Sequence, residues 1–358
     1  MNDAVNLADF ELRAESLLPK GVWDFIAGGS GDETTLAANR AALDAVALLP
    51  RVLAGSGGAD TGSQLLKCEA SLPVAAAPMA YQRLVHPDGE LALAAAARDI
   101  GIPYVASVLS SATIEEITEV GAVTWFQLYW LRDRSQVDAM VARAEAAGCQ
   151  VLMVTVDVPV LGRRLRDVRN AFRLPAEVVA ANLVSGGFST AHSNPLRGES
   201  AIAAHTQEIF ASALGWADLE WLRERTTLPL VVKGILDPRD AVRAVETGAD
   251  AVVVSNHGGR QLDGAAASAA ALPAIVDAVG SRCEVLLDSG IRSGTDVLRA
   301  LALGASGVLL GRPLLWGLAV DGAHGAHQVL SLLLSELRDA LTLAGCANPA
   351  AARTLAVL

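Results

Sequence analysis

A histidine and an arginine stand three residues apart in "VVVSNHGGRQLDG", Val252 to Gly264, immediately after a run of β-branched residues. Imidazole is the side chain whose charge changes near neutral pH, and guanidinium is a planar fork that grips a carboxylate through paired hydrogen bonds. Side by side they suit proton abstraction next to a carboxylate. Arg260 would hold the acid group, while His257, kept neutral by nearby positive charge, would take a proton from the adjoining carbon or hydroxyl. A second stretch, "TVDVPVLGRR", supplies the complement: Asp157 to orient the ring and stabilise the imidazolium, and Arg164 as a second fork. Tyr129 offers one more donor. Gly258 and Gly259 let the chain turn so that His257 and Arg260 face the same pocket. A lone histidine is more often structural than catalytic, so the weight rests on this company.

These groups need a frame. From about residue 70 onward a short β-branched or alanine-rich run, a turn and an amphipathic helical segment recur. The pattern predicts parallel strands joined by right-handed helical crossovers. Eight such runs can be read, near 72–78, 103–107, 124–129, 151–157, 228–234, 250–256, 284–290 and 307–313. Eight units are what closes a (β/α)8 TIM barrel, so an α/β fold of that type is expected. In such barrels chemistry gathers at the C-terminal ends of the strands. There this chain places Ala77 to Ala80, Ser107, Gln127 and Tyr129, Thr155 and Asp157 with Arg163 and Arg164 beyond, Lys233, Ser255 to His257, Asp288, and finally Gly311 and Arg312. The last two loops, "DSGIRSG" and "GRP", combine glycine N–H groups, Arg292 and Arg312 with the start of a helix, a common arrangement for binding phosphate. "GIRSG" also reads as a plain helix-starting turn.

Two regions lie outside the repeat. Residues 1–65 read as a helical extension able to cover the bottom or flank of the barrel, and residues 166–215, rich in Ala, Ser, Asn and Gly, as a lid loop or a disordered connection. The whole of 1–358 is expected to be one functional domain. Net charge is −11 with no cationic block, so no nucleic-acid partner is expected. Nowhere do about 18 apolar residues run uninterrupted, and the N-terminus carries acids where a leader would be basic, so neither a membrane span nor a signal peptide is expected. Cys68, Cys149, Cys283 and Cys346 form no C-x-x-C pair, which suits reduced thiols in a cytoplasm and no metal site.

Taken together, "FQLYW", "TVDVPVLGRRLRDVRN", "LPLVVKGI", "SNHGGRQLDG", "LLDSGIRSGTDVLRALALGA" and "GVLLGRPLLWGLA" resemble the FMN-dependent 2-hydroxy-acid oxidases and dehydrogenases, the group of glycolate oxidase, lactate oxidase and mandelate dehydrogenase. The likeness runs from about residue 5 to 350, and "WDFIAGGSG" and "APMAYQRLVHPDGE" are similar to stretches of its actinomycete 4-hydroxymandelate oxidase branch. The resemblance implies FMN as cofactor and oxidation of an (S)-2-hydroxy acid, with an aryl acid ahead of lactate or glycolate. It makes His257 the base, Asp157 its partner, and Arg164, Arg260 and Tyr129 the carboxylate site. Lys233 would sit at the N1–C2 edge of the flavin, where a cation stabilises the reduced ring. Ala77, Pro78, Met79, Ala80, Ser107, Gln127, Thr155 and Ser255 would line the ring and ribityl chain. Asp288 would bind ribityl hydroxyls, with Ser289 beside it, and Gly290, Arg292, Gly311 and Arg312 would take the phosphate. The chain departs from the glycolate oxidase pattern with Phe25 in place of a tyrosine and Leu109 in place of a tryptophan, which implies a wider, more apolar pocket. Ala80 is the oxidase-like choice beside flavin N5, and the region after the fourth strand lacks a basic amphipathic membrane segment. O2 as acceptor, yielding H2O2, is therefore expected ahead of a dehydrogenase with another acceptor. A homo-oligomer, tetrameric by analogy, completes the expectation.

Overall fold

The computed structural model describes residues 4–55, 57–185, 210 and 214–358. A short antiparallel hairpin comes first, β1 (Ser63–Leu65) with β2 (Cys68–Ala70). The barrel follows: β3 (Val74–Ala76), β4 (Tyr104–Ser107), β5 (Thr124–Leu128), β6 (Val151–Thr155), β7 (Leu230–Ile235), β8 (Ala251–Val254), β9 (Glu284–Leu287) and β10 (Gly307–Leu310). Neighbours pair in parallel around the ring and β10 closes it by pairing with both β9 and β3. All eight expected strands are present, most ending earlier than the apolar runs suggested.

Side-chain alternation explains where the polar residues fall. Along each strand every second residue points into the barrel, and Ala75, Val105, Trp125, Val151, Met153, Val231, Ala251, Val253, Leu286 and Leu309 form one interior cluster. One more step of two along the same strands reaches Ala77, Ser107, Gln127, Thr155, Lys233, Ser255, Asp288 and Gly311. The functional end of the barrel is thus the next layer of its interior, with polar groups in place of the packed apolar ones.

The opposite end is plugged by the hairpin, whose Leu65, Leu66 and Cys68 join the interior cluster. Gly307 at the start of β10 makes room for it, because a Cβ there would stand 2.7 Å from Leu65 Cδ2. Ahead of the hairpin run α1 (Leu7–Leu17), α2 (Lys20–Ala27) and α3 (Thr34–Asp44). The expected extension is therefore helical only to Asp44; residues 47–49 instead exchange backbone hydrogen bonds with 356–358, tying the two ends of the chain together. The final long helix (Arg312–Leu343) breaks at Asp321 and Gly322.

The connection expected as a lid at 166–215 is described at 166–185, 210 and 214–215. It opens with a helix, Leu165–Arg169, and a second short helix follows at Ala181–Ser185. Phe172, Leu174, Val178, Ala180 and Leu183 are buried against the body of the protein, so apolar burial holds this stretch down in place of an open loop. Residues 186–209 and 211–213 lie outside the described residues. No helix among the described residues is long and apolar enough to cross a membrane.

Candidate active site

The chain leaves β8 through three successive left-handed residues, His257, Gly258 and Gly259, with φ of 59°, 67° and 72°. Glycine gives the last two their backbone freedom, and at Gly259 it also leaves room for α3. A Cβ on Gly258 would stand 2.7 Å from Arg312 Nη1, and one on Gly259 would meet the Leu36 backbone of α3 at 2.7 Å. The turn delivers His257 to the mouth of the barrel with Nδ1 3.0 Å from Asp157 Oδ1 and Nε2 3.5 Å from the Tyr129 hydroxyl. Asp157 fits there because Gly234, at a β7 irregularity, lacks a side chain: its Cβ would lie 2.6 Å from that of Asp157.

Electrostatics favour a neutral ring beside a charged carboxylate. Burial pushes the His257 pKa down, Asp157 pushes it back up and the Lys233 charge lowers it again, leaving it below the ordinary 6.5. Burial works against the Asp157 carboxylate, but the charge and hydrogen bond of His257, with Lys233 behind them, hold its pKa below the usual range.

Phe25, near the C-terminus of α2, lies beside both expected carboxylate forks. The Arg164 and Arg260 guanidinium carbons are 5.6 and 5.2 Å from its ring centroid, and Phe172 stacks on it at 4.9 Å. Arg260 uses Nη1 to donate to the carbonyls of Phe25 at 2.7 Å and Gly28 at 2.9 Å. Arg164 Nε is buried with no partner among the described residues, a donor that an acid ligand would satisfy. Burial and then the charges of Arg164 and Arg312 drive the Arg260 pKa well below its ordinary value, so the pocket favours an incoming anion.

Deeper in the cleft, Ser107 donates to Gln127 Oε1, and Gln127 donates to Thr155 Oγ1, both at 3.0 Å. Lys233 Nζ reaches Asp288 Oδ2 and Ser255 Oγ at 3.0 Å. Opposing its burial, the charges of Asp288 and Asp157 raise its pKa, so it stays protonated. At the far end Arg312 caps α2 through the carbonyls of Ile26 and Gly28, at 2.9 and 3.0 Å. Its pKa is held down to about 9 by burial and then by the charge of Arg292, and that of Arg292 to about 10 by burial. Two guanidinium groups confined together, next to the Gly290 and Gly311 loops, suit a doubly charged phosphate. One cleft accordingly runs past Ala77 to Ala80, Lys233 and Asp288 to this cationic end. A flat, polar-edged ring with a hydroxylated, phosphate-ended tail fits that sequence of donors.

The comparisons agree with this geometry. The model of the FMN-dependent dehydrogenase family matches residues 14–357. The chain belongs to that family. It is 54% identical to a 4-hydroxymandelate oxidase of Amycolatopsis orientalis, over 98% of this chain and 97% of that protein. It is also 48% identical to an L-lactate oxidase of a Nostoc strain, over 97% and 96%. A crystal structure of mandelate oxidase with (S)-4-hydroxymandelic acid superposes with a TM-score of 0.96 at 53% identity, covering 99% of both chains. Membership of the family implies FMN as the cofactor.

The structure brings every site residue expected from the sequence to this end of the barrel. It also shows residues that the reading by strand ends passed over. Gln261 clamps the loop after β6, Asp263 accepts hydrogen bonds from Asp32 N, Thr34 Oγ1 and Thr35 N at the start of α3, and Asn39 exchanges side-chain hydrogen bonds with Asn256, itself one of the expected strand-end residues, in a buried pair. The Asp263 and Asn39–Asn256 contacts reach across 231 and 217 positions of sequence and the Gln261 contacts across 99 to 104, and no local pattern marks them.

Proposed function

We propose that the chain oxidises an aryl (S)-2-hydroxy acid, (S)-4-hydroxymandelate or (S)-mandelate, to the 2-oxo acid, with O2 reduced to H2O2. The observation that carries this reading is the His257–Asp157 pair set beside two arginines that flank Phe25 in an otherwise apolar mouth. In it Arg164 and Arg260, with the Tyr129 hydroxyl, bind the substrate carboxylate and so present the carbinol centre to His257. His257 Nε2 takes the proton lost from that centre, and Asp157 stabilises the imidazolium formed. FMN, when bound, would supply the two-electron acceptor for this oxidation, with O2 as the final oxidant. Lys233 is placed to compensate negative charge at one edge of the ring, Ser107, Gln127, Thr155 and Ser255 to hold its polar rim, Asp288 and Ser289 the ribityl chain, and Gly290, Arg292, Gly311 and Arg312 the phosphate. Phe25, Leu84, Val85, Leu109 and Leu161 line the outer cleft, and that apolar wall favours an aryl group over the methyl of lactate. A cytoplasmic homo-oligomer is the setting this reading carries, and sedimentation of the purified holoprotein checks its oligomeric part.

The test is anaerobic mixing of the yellow holoprotein with (S)-4-hydroxymandelate, (S)-mandelate, lactate and glycolate in turn, then admission of air. Fast bleaching by the aryl acids, rapid reoxidation and one H2O2 per turnover are expected. Bleaching that air barely reverses would make the chain a dehydrogenase awaiting another acceptor. No bleaching by any 2-hydroxy acid would sink the proposal.

A further inference from the structure

After β6 the chain runs through residues 156–162 without regular structure, carrying Asp157 at its start and delivering Arg164 just past its end. One side chain from another loop holds this segment. Gln261, four positions past His257, donates through Nε2 to the carbonyls of Asp157 at 2.8 Å and Val160 at 2.9 Å, and accepts the Gly162 N–H on Oε1 at 3.0 Å. Both amide protons and the carbonyl oxygen are thereby engaged. The two loops touch backbone to backbone, since a Cβ on Gly162 would stand 2.3 Å from the Arg260 carbonyl oxygen and 2.8 Å from Gln261 Cα. The Gln261 carbonyl is itself tied down by the Ser30 hydroxyl. Asp157 has little else to orient it: Oδ1 meets His257, and Oδ2 is buried without a partner among the described residues.

We propose that Gln261 is a positioning residue, whose side-chain amide locks the Asp157 loop onto the His257 loop and so holds the Asp157–His257 pair in register. The proposal rests on the reading of His257 as the base; Gln261 acts on it only through Asp157. The titratable and charged groups that face His257 are Asp157 at the end of β6, Lys233 on β7, Asp288 after β9 and Tyr129 after β5. Of these only Asp157 is tied down by Gln261. Loosening the clamp weakens the contact with Asp157, which favours the protonated ring more strongly than Asp288 does, so His257 becomes a weaker base and its imidazolium is less well stabilised.

The experiment compares Gln261→Met holoenzyme with the wild type in two readouts: the limiting rate of anaerobic flavin reduction by (S)-mandelate across pH, and the NMR titration of the His257 ring, assigned with His257→Gln. The expected result is retained FMN, a rate lower by about tenfold or more, and a His257 midpoint displaced to lower pH. In an Asp157→Asn background the same change should cost little further, because both substitutions remove one coupled interaction. Should Gln261→Met fail to fold, Gln261→Glu, which keeps the acceptor for Gly162 and loses both donors, takes its place. An unmoved His257 midpoint, or losses that simply multiply in the double variant, would overturn the proposal; so would lost FMN or lowered thermal stability with the midpoint unmoved. If the wild type is bleached by no 2-hydroxy acid, the proposed function fails, and the titration still decides the role of Gln261.

Discussion

His257 carries the chemistry proposed here from a left-handed backbone, a conformation that costs a non-glycine residue on the order of 1 kcal/mol and persists where surrounding contacts over-determine it. Those contacts are its N–H bond to Ser255 Oγ at 3.0 Å and the Asp157 bond on the ring. With the ring's pKa held below 6.5, the base is already unprotonated at neutral pH, and activity is lost only as acid protonates it. The acid limb of the kcat/KM profile should therefore lie below pH 6.5, and a limb above it would contradict the geometry. His257→Gln should leave FMN bound and abolish its reduction by substrate, read by anaerobic stopped flow; normal reduction would remove His257 as the base. Arg164→Met should lower kcat/KM by roughly ten- to a hundredfold, the worth of a charge-assisted hydrogen-bonded pair. Unchanged kinetics would mean that the carboxylate is held elsewhere.

Among the elements, α2 joins functions that lie far apart in sequence. Its C-terminal carbonyls take Arg260 on one side and Arg312 on the other, where the negative end of the helix dipole favours cations. The forks proposed for substrate and phosphate thus hang from one helix end, beside the Phe25 ring of the same helix. The glycine turn after β8 is the other joint. Gly259→Ala combines a φ of 72° with a Cβ 2.7 Å from Leu36 backbone, so it should lower unfolding stability by about 1–3 kcal/mol or more. Gly264→Ala, at a φ of 87° but facing open space, should cost only about 1 kcal/mol. Denaturant unfolding of the two variants separates them, and equal losses would show that the contact with α3 contributes nothing.

For the molecule as a whole, the proposed phosphate site at the cationic end of the cleft would couple cofactor to fold. Free FMN at about a hundred times its Kd should stabilise the protein by about 2.7 kcal/mol and raise Tm, and Arg312→Leu should blunt that rise; an equal rise in both proteins would place the phosphate elsewhere. The barrel itself was legible from the sequence because strand and helix periodicity are local, and eight repeats admit few closures. The list of polar residues at strand ends was legible for the same reason, being the continuation of the inward-facing parity of each strand. Phe25 came only from resemblance, and its place beside Arg164 and Arg260 came from the packing of α2 over the mouth. Gln261, Asp263 and Asn39, the partner of Asn256, were invisible as functional parts, although Gln261 and Asp263 stand in the same quoted motif as His257. The chain by itself determined which side chains would reach the functional end, since that depends on spacing along single strands. Only the tertiary structure decided how they are held, because the clamps join loops distant in sequence and a hydrogen bond across such a distance leaves no periodic trace in either partner.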